Sequence, residues 1–345
     1  MRNVKKVRIG ALEFGGGKIY VQSMLNVPAE NIPKSVEQAI TLEKAGCEII
    51  RAAVPRVEDV PLITALKNAV NVPIVADIHF DYNIALACVE AGVDKIRINP
   101  GNIGSAENIR KVADACRKKE VPIRIGVNGG SLEKELLAKY GKPTPEALME
   151  SALNHVKLLQ ECDFDNIVIS IKSSDVKLTI AAYRMLAEKT SYPLHLGVTE
   201  AGTERMGIIK SSVGIGSLLC DGIGETIRVS LTADPLREVY AAKDILKVCG
   251  MGGGAEIVSC PTCGRTKIDL IRLAGEVEDM LRGVDKSIKV AVMGCAVNGP
   301  GEAREADIGV AGGNGEGLLF KKGEILRKVP EDKILEELKK EIDLL

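Results

Sequence analysis

The sequence predicts an α/β protein in which an N-terminal (β/α)8 TIM barrel precedes a smaller α+β domain. Three observations support this architecture. Short β-branched segments alternate eight times with helical segments over about the first 240 residues, as in a (β/α)8 barrel. A glycine-rich run at 250–254 then marks a boundary. The segments beyond it follow a different order and include two cysteine loops. We therefore predict domains at 1–249 and 250–345.

The first domain begins with strand-like segments within 7–24, around a three-glycine turn at 15–17. Each later strand is β-branched, and each helix has apolar residues at helical spacing. A doubly wound open sheet is the alternative, but no G-x-G-x-x-G motif follows the first strand. The predicted strands are 19–23, 48–52, 73–78, 94–98, 123–127, 167–172, 194–198 and 226–231. The predicted helices are 34–45, 58–70, 82–91, 106–118, 145–161, 176–189, 204–217 and 236–247.

Basic side chains lie near the carboxyl ends of five predicted strands, the face on which barrel chemistry takes place. Because like charges repel, five cations on one face predict a polyanionic ligand, most simply a diphosphate. Glycine-rich turns at 99–104 and 128–130 add backbone donors for phosphate oxygens. The cations are Arg51, Arg97, Arg124, Lys172 and Arg228. Other polar residues at the strand ends are Gln22, Asp77, His79, Asn99, Asn128, His195, Glu200 and Ser230.

The second domain, of about 90 residues, has its own pattern of strands and helices. Its last helix places four aliphatic residues on one face, which predicts packing against a sheet. We predict strands at 255–259, 288–293, 307–311, 318–321 and 324–329, and helices at 269–282 and 331–344.

Two loops of this domain carry three cysteines, Cys260 and Cys263 in a Cys-x-x-Cys pair and Cys295. Thiolates select zinc, Cu(I) or iron–sulfur clusters. Structural zinc requires four ligands, whereas this region offers three cysteines and no histidine, so an iron–sulfur cluster is favoured. Glu302 is a candidate for a fourth, labile ligand. A zinc site completed by Cys249 or a distant histidine, and a redox-active Cys-x-x-Cys without metal, are the alternatives.

Composition excludes several functions. The formal net charge of −1 argues against a nucleic-acid-binding protein. No signal peptide precedes the first strand, and no apolar run reaches the roughly 20 residues of a membrane span. Nine cysteines without an export signal indicate a reducing cytoplasm. We expect Cys47, Cys88, Cys116, Cys162 and Cys220 to be packing residues.

Five motifs spread along the chain resemble those of the 4-hydroxy-3-methylbut-2-en-1-yl diphosphate synthases. These are iron–sulfur oxidoreductases of the non-mevalonate route of isoprenoid biosynthesis. The chain is similar to their short bacterial form, since it lacks the inserted domain of plant-type relatives and matches the family at every cluster position. The motifs are Val75-Ala-Asp-Ile-His79, Arg97-Ile-Asn-Pro-Gly-Asn-Ile-Gly104, Leu196-Gly-Val-Thr-Glu-Ala-Gly202, Ser259-Cys-Pro-Thr-Cys-Gly-Arg265 and Met293-Gly-Cys-Ala-Val-Asn-Gly-Pro-Gly-Glu302.

The resemblance implies a 4Fe-4S cluster on Cys260, Cys263 and Cys295, with Glu302 as exchangeable fourth ligand. It also implies reductive ring opening of 2-C-methyl-D-erythritol 2,4-cyclodiphosphate, with electrons from reduced flavodoxin or ferredoxin. The resemblance further implies a head-to-tail homodimer, in which one chain's cluster domain covers the other chain's barrel. Asp77, His79 and Glu200 are then candidate proton donors or orienting groups, and Ser259 and Arg265 reach the diphosphate from the cluster side.

Two other functions are compatible with parts of the sequence. A pterin- or phosphate-sugar-processing barrel with a structural zinc domain predicts bound zinc and no oxygen sensitivity. A non-enzymatic iron–sulfur carrier or sensor predicts that removing the five barrel cations has no effect.

Overall fold

The computed structural model describes residues 2–99, 102–281, 284, 286–296 and 303–345. It divides into two compact units, Met1–Met251 and Gly252–Leu345. The division lies two residues beyond the boundary that the glycine run predicts.

The first unit is built on eight parallel strands, which correspond one to one with the predicted strands. Their order in the sheet is β8-β7-β6-β5-β4-β3-β10-β9. A parallel bridge between Ile169 and Leu194 joins the two ends, so the sheet closes. The predicted (β/α)8 barrel is confirmed, and the open doubly wound sheet is wrong. The strands are β3 (Tyr20–Met24), β4 (Ile49–Ala53), β5 (Ile74–Asp77), β6 (Lys95–Ile98), β7 (Ile123–Asn128), β8 (Ile167–Lys172), β9 (His195–Leu196) and β10 (Thr226–Ile227).

The barrel helices match the predicted ones within a few residues, with one addition. The short helix α5 (Lys134–Tyr140), which ends at Gly141 in a left-handed conformation (φ 73°), was not predicted. The regular strands β9 and β10 are also shorter than predicted, since the chain leaves the sheet after two residues in each. The other helices are α1 (Ile32–Lys44), α2 (Pro61–Ala69), α3 (Tyr82–Glu90), α4 (Ala106–Lys118), α6 (Pro145–Gln160), α7 (Val176–Lys189), α8 (Glu204–Cys220) and α9 (Pro235–Val248).

An antiparallel hairpin of β1 (Val7–Ile9) and β2 (Leu12–Phe14) precedes the barrel. The sequence predicts the turn at the glycines 15–17. The hairpin turns at Gly10 instead, and the three glycines follow it. Buried hairpin side chains pack against residues near the start of four barrel strands and cover this end of the barrel with apolar surface. This cluster consists of Val7, Ile9, Phe14, Tyr20, Ile49, Val75 and Val168.

The second unit is a five-stranded mixed sheet in the order β11-β12-β13-β14-β15. The first three strands are parallel and the last two pair antiparallel. The helices α10 (Leu270–Leu281) and α11 (Ile334–Asp343) bury aliphatic residues in the core of this unit. The strands are β11 (Glu256–Ser259), β12 (Lys289–Met293), β13 (Ile308–Gly312), β14 (Glu316–Lys321) and β15 (Glu324–Pro330).

Four of the five cysteines expected to be packing residues, Cys47, Cys88, Cys116 and Cys162, are buried. The expectation is wrong for Cys220, which is exposed because it occupies the last position of α8.

Within the described residues, no helix is both long and apolar enough to cross a membrane.

Candidate functional site

The five predicted cations come together at one cavity at the carboxyl ends of the barrel strands. The cavity has a volume of about 330 Å³, and all five side chains line it. They come from five different strands or strand ends, so the closed sheet brings them together across large separations in sequence. Four other residues predicted from the strand ends also line it: His79, Asn99, Asn128 and Ser230.

Asp77 organises one side of this cavity from the end of β5. Its carboxylate accepts hydrogen bonds from Arg51 Nη2 at 2.5 Å and from Arg97 Nη1 at 3.2 Å. His79 Nε2 lies 3.1 Å from the same carboxylate. Burial raises the pKa of the Asp77 carboxyl, but Arg51, His79 and Arg97 outweigh it and hold that pKa well below its usual range. Of the two roles predicted for Asp77, this environment favours orienting the cations over donating a proton.

A second buried carboxylate, Glu238 on α9, fixes Arg228. Its Oε1 lies 3.3 Å from Arg228 Nη2. It also accepts hydrogen bonds from the Ser23 hydroxyl and the Leu231 amide. Arg228 is therefore held against the barrel wall by a group outside the cavity lining.

The remaining cations are less well compensated. Burial, followed by the neighbouring cations, lowers the pKa of Arg124 and of Lys172 well below their ordinary values. Arg124 Nε and Nη1 are buried without a hydrogen-bond partner among the described residues. Unpaired buried donors are costly, so an anionic ligand would relieve both the repulsion and the unmet hydrogen bonds.

Two glycines make room for these side chains. A Cβ atom at Gly126 would lie 2.4 Å from Arg97 Nε, and one at Gly197 would lie 2.9 Å from Lys172 Nζ. A larger residue at either position would displace a cation, so glycine at both positions leaves the space that the Arg97 and Lys172 side chains occupy.

Sequence reasoning missed four lining residues, and three of the predicted strand-end residues, Glu200, His195 and Gln22, lie outside the lining. The cavity is also lined by Phe80, Asn102, Ser170 and Thr199. Their one sequence signal is that they lie close in the chain to residues that were predicted. Glu200 is exposed beside Thr199, in a left-handed conformation (φ 50°) that is rare for residues other than glycine. It lies outside the cavity lining, so its predicted role stays a proposal.

His195 was predicted to contact the ligand; the structure places it outside the cavity lining, so this contact stays a prediction. The side chain is fully buried at the start of β9, with Nδ1 2.8 Å from the Thr226 hydroxyl. His195 lies near the start of the predicted strand 194–198 and at the first position of β9, so it is away from the carboxyl ends of the strands where the cavity lies. Gln22 is likewise buried and does not line the cavity.

The three cysteines of the second unit follow two neighbouring strands. Parallel β11 and β12 pair Ser259 with Val292, so Cys260 and Cys295 both come just after the same edge of the sheet. The loops contact each other, because the Lys267 amide donates to the Gly294 carbonyl at 2.9 Å. This arrangement brings Cys260 close to the loop of Cys295.

Cys260 and Cys263 each have neighbours that favour a thiolate. The Gly294 amide donates to Cys260 Sγ at 3.2 Å, the kind of hydrogen bond that cluster thiolates accept. Hydrogen bonds from Arg265 lower the pKa of the Cys263 thiol and so favour the thiolate. Within the described residues, no group of three His, Cys, Asp or Glu side chains is arranged to hold a metal. Glu302, the predicted fourth ligand, lies outside the described residues.

Ser259 and Arg265 are both exposed at this edge. The Ser259 hydroxyl lies 3.5 Å from the Cys260 carbonyl, and Arg265 faces the Cys263 thiol. Contact of these two residues with a diphosphate therefore stays a proposal.

Comparison with known proteins covers both units. The GcpE TIM-barrel domain matches residues 4–243, and the GcpE protein C-terminal domain matches residues 256–344. A Clostridium perfringens relative is 57% identical over 346 residues, 100% of this chain and 99% of its own. A Listeria monocytogenes relative is 53% identical over 345 residues, 99% of this chain and 94% of its own. Both relatives carry the name 4-hydroxy-3-methylbut-2-en-1-yl diphosphate synthase (flavodoxin).

Among solved structures, dihydropteroate synthases share the barrel. The enzyme from Stenotrophomonas maltophilia superposes with a TM-score of 0.52 at 16% identity, over 70% of this chain and 96% of its own. The Yersinia pestis enzyme gives 0.51 at 14% identity, over 71% and 98%. Identities this low establish a common fold and nothing about activity.

Proposed function

The chain belongs to the GcpE family, and from this premise we propose that it is a 4-hydroxy-3-methylbut-2-en-1-yl diphosphate synthase. The substrate is 2-C-methyl-D-erythritol 2,4-cyclodiphosphate. Two electrons and two protons open its ring and release one oxygen as water, which gives 4-hydroxy-3-methylbut-2-enyl diphosphate. The observation that carries the proposal is the cavity with five cations and a carboxylate frame.

The barrel residues bind and orient the diphosphate. The five cations neutralise its charge, and the guanidinium groups of the four arginines suit bidentate binding of phosphate oxygens. They also stabilise the negative charge that moves onto the diphosphate as the ring C–O bond breaks. Asp77 keeps Arg51 and Arg97 in place, while His79 and Glu200 are the candidates for proton transfer.

The second unit is proposed to hold the redox cofactor, on Cys260, Cys263 and Cys295 with Glu302 as the exchangeable ligand. When bound, a 4Fe-4S cluster supplies single electrons and a Lewis-acidic iron. Reduced flavodoxin is the proposed electron donor, because the names of the relatives include flavodoxin. Ferredoxin is the alternative. The sulfurs and iron of the proposed cluster fit a reducing cytoplasm as the location of the protein. Cell fractionation tests that location.

Metal analysis tests this proposal first. The protein is purified anaerobically, and iron, acid-labile sulfide and zinc are counted per chain. We expect about four iron and four sulfide, as in a 4Fe-4S cluster, together with turnover of the cyclodiphosphate by reduced flavodoxin. Cys295→Ser removes iron and turnover, whereas Cys220→Ser, an exposed cysteine of the barrel, keeps both. Stoichiometric zinc without iron would instead favour a phosphate-binding barrel with a structural zinc domain.

We also propose the head-to-tail homodimer, in which one chain's cluster domain serves the other chain's barrel. Mixing a Cys260→Ala chain with an Arg51→Ala chain is then expected to restore part of the turnover, because one barrel and one cluster domain remain intact together. The measurement is turnover in isolated heterodimers with differently tagged chains. Heterodimers as inactive as either variant alone would contradict the exchange.

A further inference from the structure

Lys95 is a basic residue inside the barrel that the proposed mechanism does not use. It is the first residue of β6, two positions before Arg97, so both side chains project to the same face of the sheet. Its side chain is 0% exposed, and Nζ has no hydrogen-bond partner among the described residues. Lys95 does not line the diphosphate cavity, which begins further along the strand.

The surroundings of Lys95 contain other cations and no carboxylate committed to it. Both buried carboxylates near the cavity are engaged, Asp77 with Arg51 and Arg97, and Glu238 with Arg228. The charged or titratable groups that the strands bring to the barrel interior are Tyr20, Arg51, Asp77, Arg97, Arg124, Lys172, His195 and Arg228.

Electrostatics disfavours a charged Lys95 in the free protein. Burial lowers the pKa of its ammonium well below the ordinary value, and Arg124 and Arg51 lower it further. The same causes, burial followed by Arg124 and the two lysines, hold the pKa of His195 low. Burial and the neighbouring cations thus both disfavour the protonated forms of Lys95 and His195 in this interior.

The immediate contact of Lys95 nevertheless suits an ammonium. Nζ lies 5.1 Å from the centroid of the Phe14 ring, which the N-terminal hairpin inserts at this end of the barrel. The face of an aromatic ring attracts a cation, and the attraction is strongest where water is excluded. A protonated Lys95 therefore has a place to lie once the repulsion from neighbouring cations is offset.

We propose that Lys95 takes up a proton from solvent when a diphosphate binds in the cavity, so that ligand binding charges the interior of the barrel. The inference rests on the proposed function, because it needs a diphosphate among the five cations. Two negative charges in a weakly screened interior offset the repulsion from Arg51 and Arg124. Lys172, which lines the cavity, is expected to respond in the same way, so Lys95 accounts for part of the total uptake. Lys95 is a positioning residue that acts through the charge of the cavity.

Calorimetry measures this proton directly. The full-length protein with its native cofactor is titrated anaerobically, at about pH 8 between the ordinary pKa values of His and Lys. The probe is P1,P2-dimethyl diphosphate, whose one acidic oxygen on each phosphorus stays ionised at this pH. Repeating the titration in buffers with different ionisation enthalpies gives the number of protons taken up. We expect net uptake by the wild-type chain.

Variants assign the proton. Lys95→Met removes the basic group in nearly the same volume and is expected to lower the uptake by up to one proton. Its affinity falls by about tenfold for each unit by which the Lys95 pKa in the complex exceeds the pH of the titration. The matched control is Lys118→Met, at an exposed lysine near the end of α4, which leaves uptake and affinity unchanged. Lys95→Gln replaces the Met variant if that variant does not fold, because Gln cannot gain a proton.

The outcomes separate this inference from the function on which it rests. Equal uptake by the wild-type chain and the Lys95 variant overturns the role of Lys95, even if the probe binds tightly. Absence of probe binding to the wild-type chain overturns the diphosphate cavity and this inference together. A purely structural Lys95 would change the melting temperature without changing the proton count, so that result also counts against the proposal.

Discussion

The barrel interior and the cysteine edge differ in where they hold their functional side chains, on regular strands in the first and on loops in the second. In the barrel, functional groups are part of regular strands, and Arg97, Arg124 and Lys172 are almost completely buried. In the second unit, the sheet buries aliphatic residues, and the sulfurs lie on loops beyond the strand ends. The strand register therefore fixes the cations, while the cysteines depend on their loops and on whatever they bind.

The difference shows where each unit gives up stability. Burying several cations with two carboxylates opposes folding of the barrel, because charge is removed from water without full compensation. The cysteine unit bears less of this cost, because Cys263 is exposed and Cys260 is partly exposed, and Cys295 alone of the three is buried. Changes to the barrel frame should therefore cost stability and binding together, whereas changes on the outer surface of the second unit should affect stability alone.

The largest effect is expected from Asp77→Asn, which leaves Arg51 and Arg97 without their carboxylate. Removing one partner of a buried ion pair costs about 3 kcal/mol or more, and turnover should fall because the cations lose their positions. Asp114→Asn, which breaks an exposed pair with Arg117, is the control and should cost at most about 1 kcal/mol. Urea unfolding at neutral pH compares the variants.

The pH dependence of the same variant gives the sign of the effect. The pKa of Asp77 is lowered in the folded protein. Its contribution is therefore complete above the unfolded value of about 3.9, and it is lost as pH falls through the folded value. The stability difference between wild type and Asp77→Asn should shrink over that acidic range. Equal stabilities at neutral pH would show that Asp77 is not the organising group.

A smaller effect is expected from Gly126→Ala, where a single methyl group meets the Arg97 guanidinium at 2.4 Å. The guanidinium must move away from Asp77, so we expect affinity for the dimethyl diphosphate to fall by roughly tenfold and stability by about 1–3 kcal/mol.

The smallest effect is expected from the same Gly→Ala change in the second unit. Gly275 is an exposed position of α10 with no atom within 4 Å of the added Cβ.

Gly275→Ala should stabilise the protein by about 0.5–1 kcal/mol, because alanine is the better helix former. Affinity for the probe should not change. Calorimetry and urea unfolding of both glycine variants measure the contrast. Loss of affinity in the Gly275 variant, or none in the Gly126 variant, would contradict the division between the two units.

Much of the barrel could be predicted from the sequence because its signals are repetitive. Eight alternations of strand and helix define the fold, and the strand-end rule identified the five cations. Partners could not be predicted, since nothing in the local sequence indicates that Asp77 holds both Arg51 and Arg97. Lys95 was missed although a signal existed: the alternation in Lys95-Ile96-Arg97-Ile98 places both basic residues on one face.

The errors have local physical causes. His195 was grouped with the strand-end residues although it lies near the start of both the predicted strand 194–198 and β9, where its side chain is buried. The helix α5 is seven residues long, too short for its periodicity to be recognised. The cysteine edge was predictable as chemistry, from the Cys-x-x-Cys spacing, but loop conformation has no comparable periodic signal.

The N-terminal hairpin has a consequence for biosynthesis. Phe14 and its neighbours pack against Val168, which leaves the ribosome about 150 residues later. At a translation rate of about 5–20 residues per second, the apolar side chains of the hairpin wait roughly ten seconds or longer for that partner. The nascent chain thus carries an unsatisfied apolar segment from the beginning of its synthesis, and the growing barrel needs protection from aggregation until β8, its sixth strand, has been made.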